Sequence, residues 1–316
     1  MKAPLSKLKL DIPFTFKLAE FKLFSILSQM FGNTLTELDI SGIHFSGTNA
    51  QFPHLQTLKI YTRYAIPADV FANTFPNLKS LDIETSYPKT LSRIRQEATR
   101  LHALNKARLS DSQLPLPSLQ YLKASPTDLF ATAMAPQAKE FEVVEMTKED
   151  TEWLSILLVS IRPSILRIHL DDRDGFLNLQ ALVTSLQTLL KENPFIESLD
   201  LFSSFDVMFN GDAVNFLDLF PEMIKGASLK SLYLLIREYG FELGRMTCLR
   251  SVNIDQFIAG ISVKCPDTQS ITVDLKPIDM EPGETGFTRC VDIDKEFQKT
   301  GKTFRELRED WPGLAR

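Results

Sequence analysis

The 316-residue chain is 44% hydrophobic and 10% aromatic, which excludes a chain disordered by composition and supplies a continuous core. Its net charge of −5 argues against a general nucleic-acid binder, which needs a basic face. Cys248, Cys265 and Cys290 lack disulfide-framework or metal-ligand spacing, no apolar run reaches transmembrane length, and Lys2, Lys7, Lys9 and Asp11 stand where a secretory apolar core would lie, so the expected location is cytoplasmic or nuclear.

Taken in order, the chain repeats one pattern: apolar, two polar, apolar, one polar, apolar. It opens as Leu5-Leu8-Leu10 and returns as Leu35-Leu38-Ile40, Leu55-Leu58-Ile60 and Leu78-Leu81-Ile83. In an extended strand alternate side chains point to opposite faces, so Leu81 and Ile83 go inward while Asp82 meets water. Then come Leu119-Leu122-Ala124, Ala138-Phe141-Val143, Ile165-Ile168-Leu170, Ile196-Leu199-Leu201, Leu229-Leu232-Leu234 and Leu249-Val252-Ile254. A faint last copy is Thr268-Ile271-Val273. One unit per roughly 20–30 residues is the period of leucine-rich repeats, in which each unit adds one strand to a solenoid.

The segments "FPHLQTLKI", "FPNLKSLDI" and "LPSLQYLKA" make the chain resemble irregular leucine-rich-repeat proteins, and among them the repeat regions of fungal and plant F-box proteins. The resemblance implies an α/β fold, a curved horseshoe of about 10–11 repeats. Parallel strands would line its concave face, with helices and loops on the convex face. It also implies a substrate receptor of a cullin-type ubiquitin ligase, with a Skp-type adaptor and a cullin as partners. An F-box would precede the repeats, and the first repeat begins at Leu5. The family's asparagine after the third apolar position is replaced, for example by Ile43, Arg63, Ser86 and Arg173, so no asparagine ladder is expected.

Helices should fill the intervals. Residues 14–31, with Leu18, Phe21, Ile26 and Phe31, read as a helix stopped by Gly32-Asn33. Its phenylalanines (with Phe14, Phe16 and Phe24) read as core packing, an exposed docking patch being the alternative. The widest interval, from Leu78 to Leu119, holds an amphipathic helix at 89–108 whose outer face carries Lys89, Arg93, Arg95, Arg100, Lys106 and Arg108. Such a run is a solvated face or a holder of acidic or phosphate-bearing partners. Thr147 with Asp150 reads as a capping box for a helix at 153–161, and Asp174 as the cap of one at 177–191. Residues 213–225 give another, interrupted near Pro221. The repeats span 5–275 of a single domain, 1–316. Residues 276–316 form a loop and a charged capping helix at 295–310.

Catalytic arrangements are not found. Gly301-Lys302-Thr303 lacks the glycine a phosphate loop needs at Phe297, Asp172-Arg173-Asp174-Gly175 lacks calcium ligands at Leu170 and Ala181, and the four histidines are scattered. The expectation is therefore no enzyme, no metal and no cofactor. What remains is a binding surface on the outward strand positions. Glu142, Asp171, Asp172 and Asp200 form an acidic wall there, with His169 beside it and Phe202, Tyr233 and Leu235 as apolar anchors. That wall suits a basic protein partner with an apolar anchor, or else keeps the face soluble. The expected function is protein–protein recognition, as an F-box-type receptor or as a stand-alone regulatory or assembly factor.

Overall fold

The computed structural model describes residues 5–11, 20–42, 50–62, 68–85, 91–112, 116–146, 150–172, 179–206, 212–239, 249, 252–276 and 287–292. Strands alternate with helices through these residues, giving an α/β arrangement. In chain order they are β1 (Lys7–Asp11), α1 (Glu20–Phe31), β2 (Glu37–Ser41), β3 (Thr57–Thr62), α2 (Ala68–Thr74), β4 (Ser80–Thr85) and α3 (Leu91–Ser112). There follow β5 (Leu119–Ala124), α4 (Pro126–Thr132), β6 (Ala138–Met146), α5 (Asp150–Ile161), β7 (Ile165–Asp172) and α6 (Leu179–Glu192). The last are β8 (Ser198–Asp206), α7 (Asp212–Met223), β9 (Ser231–Tyr239), α8 (Ile254–Lys264), β10 (Ser270–Lys276) and β11 (Phe287–Asp292). Among the described residues no helix is long and apolar enough to cross a membrane.

Two compact units divide the chain: Met1–Val144 with Glu152–Pro163, and Glu145–Thr151 with Ser164–Arg316. In the first, β1 to β6 lie side by side in chain order, each parallel to the next. In the second, β7 to β10 do the same, and β11 closes against β10 in the antiparallel sense. Parallel neighbours need a crossover; a helix provides it in each described case except between β2 and β3, which no described helix separates. The inward strand positions are the core: Leu81 is 0% exposed and Leu199 1%.

A proline turn ahead of the strand recurs in both units. Phe52-Pro53, Phe75-Pro76, Asn193-Pro194 and Cys265-Pro266 each start a turn closed by the N–H three residues on, from Leu55, Leu78, Ile196 and Thr268 respectively. Proline pre-sets the backbone for the second position of such a turn. In the first unit the residue before it is a buried ring: Phe52 stacks on Phe75 at 5.8 Å, and Phe24 meets both edge-on. Phe24 thus packs in the core as expected, while Phe14 and Phe16 lie outside the described residues, as does the side chain of Phe21. After each turn one carbonyl of the previous repeat accepts two N–H groups: Thr36 O from Gln56 and Thr57, Gln56 O from Lys79 and Ser80, Ser164 O from Glu197 and Ser198, and Lys230 O from Gln269 and Ser270. These shared carbonyls fix the start of each strand against its neighbour.

Four expectations need correction. The copy at Leu249-Val252-Ile254 is no strand. Asn253 is extended and its side chain accepts the Gln256 N–H, so it caps α8, which Ile254 opens. The copy at 165–170 is out of phase by two residues, because Leu166 pairs with Leu199 and Ile168 with Leu201. The inward set is therefore Leu166, Ile168 and Leu170, and Pro163 takes the first apolar place. The stretch assigned to a C-terminal loop contains β11 at Phe287–Asp292. Finally, Pro221 does not end α7, which continues to Met223. The capping positions 147 and 174 and the helix at 295–310 lie outside the described residues.

Candidate functional surface on the outward strand positions

The side chains that alternate with the core residues make an outward face in each unit, and the two faces have different chemistry. In the first unit one row runs Lys9, Asp39, Lys59 and Asp82, level on successive strands. Lys123 stands level with Asp82 and with Glu142. Neighbouring strands are about 4.8 Å apart, so each charge has its opposite beside it. Lys9 meets Asp39 at 3.3 Å, Lys123 meets Asp82 at 3.5 Å, and one row over Lys7 meets Glu37 at 2.6 Å. Glu142, expected in the ligand-facing wall, accepts the Tyr121 hydroxyl at 2.8 Å. Burial raises the Tyr121 pKa, reinforced by that bond and by the carboxylates of Asp82 and Glu140.

In the second unit the corresponding row is Arg167, Asp200, Tyr233 and Thr272. The next row is His169, Phe202, Leu235 and Asp274. Arg167 pairs with Asp200 at 2.9 Å, the carboxylate side chain being only 18% exposed. The His169 ring stacks on Phe202 at 4.5 Å with planes 9° apart, and Phe202 meets Tyr233 at 5.6 Å and 52°. Leu235 stands level with Phe202 on the next strand. All of these side chains are half-buried. A continuous apolar and aromatic strip thus crosses three strands on a face that a soluble sheet would ordinarily leave polar.

Carboxylates bracket that strip. Desolvation raises the pKa of Tyr233, with Asp274 and Asp200 adding to the shift. Asp274 is largely buried and accepts from Thr288 Oγ1 at 3.0 Å, with Lys276 Nζ at 3.5 Å.

Of the expected site residues, then, His169, Asp200, Phe202, Tyr233 and Leu235 come together in the second unit. Asp171 stands level with Ser204, four residues along the sheet from the Asp200 row, or about 13 Å at the strand rise. Asp172 stands level with Phe205, and the side chains of both aspartates lie outside the described residues. Asp171 and Asp200 thus belong to separate rows. Arg167 and Asp274 belong to the surface and were missed. The signal for Arg167 lay in the register, since it falls beside Asp200 once Leu166 is matched to Leu199, and that for Asp274 in the phase of Ile271 and Val273, which sets it level with Leu235.

Among the described residues no group of three or more His, Cys, Asp or Glu is placed to hold a metal ion. Cys265 is buried, its thiol pushed up to about 11 chiefly by burial, while Cys290 is exposed on β11. No protein-family model, curated protein or solved structure matches the chain.

Proposed function

We propose that the chain is a leucine-rich-repeat protein acting as a non-enzymatic recognition scaffold, and that the outward face of its second unit holds a protein partner. One parallel strand per repeat with helical crossovers and an inward leucine set supports the repeat reading. The observation that carries the binding reading is the strip His169–Phe202–Tyr233 with Leu235. Half-buried aromatic rings held in place by stacking lose little entropy on binding and are the side chains that dominate recognition energetics. Asp200 and Asp274 on its flanks favour a partner that presents an apolar side chain next to a lysine or arginine. Arg167 and Lys276 already answer much of that negative charge, so the apolar anchor contributes more than the charge. Attachment to a Skp-type adaptor and a cullin rests on the family resemblance alone, and a stand-alone regulatory or assembly factor would use the same surface.

The test is affinity capture from an extract with three baits: the native chain, a Phe202→Ala, Tyr233→Ala variant, and Lys59→Ala. The expected result is a protein retained by the native chain and by Lys59→Ala but lost with the aromatic variant. An identical captured set on all three baits contradicts the assignment. Adaptor and cullin in that set would favour the ligase reading.

A further inference from the structure

The turns ahead of β2, β3 and β4 enclose an open cleft of about 470 Å³, lined by Asn33, Thr34, Thr36, Pro53, His54, Gln56, Asn77 and Lys79. It lies wholly in the first unit and off the outward face just described. Its lining is built by the repeat itself. In each turn the two residues that flank the buried leucine, Thr34 and Thr36 around Leu35, His54 and Gln56 around Leu55, Asn77 and Lys79 around Leu78, stand in ranks one strand apart. No carboxylate contributes to the lining, although the chain as a whole is acidic. The hydroxyl protons are already committed, Thr34 Oγ1 to Leu5 O and Thr36 Oγ1 to Ser6 O. Asn77 gives one amide proton to Pro53 O. That leaves the Lys79 ammonium, the His54 ring and the Asn33 and Gln56 amides as donors, all on exposed residues. Among the described residues no carboxylate is recorded against Lys79. At the C-terminal end of α1 two carbonyls are already satisfied, Ser28 O by Gly32 N–H and Phe31 O by those of Thr34 and Leu35.

We infer that this cleft is an anion site for a phosphate group. A point ammonium on a flexible stem, ringed by an imidazole and carboxamide donors, suits the several acceptor oxygens of a phosphate better than the two of a carboxylate. The phosphate comes either as the free ion or as a phosphoserine of a bound chain. This inference does not depend on the aromatic surface of the second unit. The full chain, checked for unchanged thermal unfolding, is titrated with inorganic phosphate, with a short phosphoserine peptide and with its glutamate counterpart, following the His54 and amide resonances by NMR. The native chain should take phosphate with its perturbed signals confined to these turns. Lys79→Gln should weaken binding roughly tenfold, as a lost charge-assisted hydrogen bond implies, while Lys59→Gln leaves it unchanged. Tighter binding of the phosphopeptide than of free phosphate would identify a partner chain as the source, and equal binding the free ion. No binding, equal loss with Lys59→Gln, or a glutamate peptide that binds as well as the phosphopeptide would overturn the inference.

Discussion

The outward faces of the two units are built on the same strand positions and spend them differently. In the first, Lys9, Asp39, Lys59, Asp82 and Lys123 alternate in sign across five strands, so the sheet neutralises its own face. In the second, those rows carry His169, Phe202, Tyr233 and Leu235, with charge reduced to the Arg167–Asp200 pair and Asp274. A self-paired row sets register and stays hydrated. A row of half-buried rings leaves apolar area that a partner can cover. Identical backbone logic therefore yields one face of paired charges and one of partly covered aromatic and apolar side chains.

The contrast can be broken at several points. The two units should be alike in what holds them: Leu81→Ala in the first and Leu199→Ala in the second each remove a fully buried strand side chain and should cost about 2–5 kcal/mol. Urea denaturation midpoints check this, and an unmoved midpoint for either would mean its strand is misregistered. At the outward face the units should part company. Phe202→Ala with Tyr233→Ala should weaken partner binding by about 2 kcal/mol or more, roughly thirtyfold, as calorimetry on the captured partner would measure. Changing the charged row should leave affinity alone and move stability instead. Lys59→Glu sets a third carboxylate level with Asp39 and Asp82 and should destabilise by about 0.5–1 kcal/mol, an effect that added salt reduces.

The smallest effect is confined to alkaline solution. Tyr121 and Tyr233 both have pKa values raised above the ordinary tyrosine value of 10.0, by burial first and by neighbouring carboxylates second. A raised folded-state pKa contributes stability that is complete below the unfolded value and fades as pH climbs from there through the folded value. Stability should therefore fall as pH rises above about 10. Tyr121→Phe, which also deletes the bond to Glu142, should flatten that fall. Midpoints measured from neutral pH upward test the sign, and a slope unchanged by the substitution would contradict it.

Much of the fold was legible because the sheet imposes a period of two on each strand and the proline turn imposes a fixed lead-in, as in Phe75-Pro76-Asn77-Leu78. Both leave their mark on neighbouring residues. What failed was long-range. Leu249-Val252-Ile254 has the spacing of a strand copy, but Leu249 and Val252 are also three apart, as in a helical turn, and the Asn253 side chain decides for α8 by capping it. Pro163-Leu166-Ile168 and Ile165-Ile168-Leu170 both fit the apolar spacing, two residues apart, and only pairing with β8 selects the first. That choice governs the proposed binding surface, since the wrong phase puts His169 beside Asp200 where Arg167 stands. β11 escaped notice because Phe287-Thr288-Arg289-Cys290 alternates with little apolar content and gains its place from β10.

The central claim, that the aromatic rows of the second unit are the recognition face and the charged rows of the first are not, can be put to one measurement. A photo-reactive benzoylphenylalanine is placed at position 202 in one sample and at position 59 in another, and each chain is irradiated in the same extract. Both positions point outward from the middle of their strands, and Lys59 is the more exposed of the two, so access to solvent does not favour position 202. A discrete cross-linked protein from position 202 and none from position 59 is the expected result. The same product from both positions, or from position 59 alone, would contradict it.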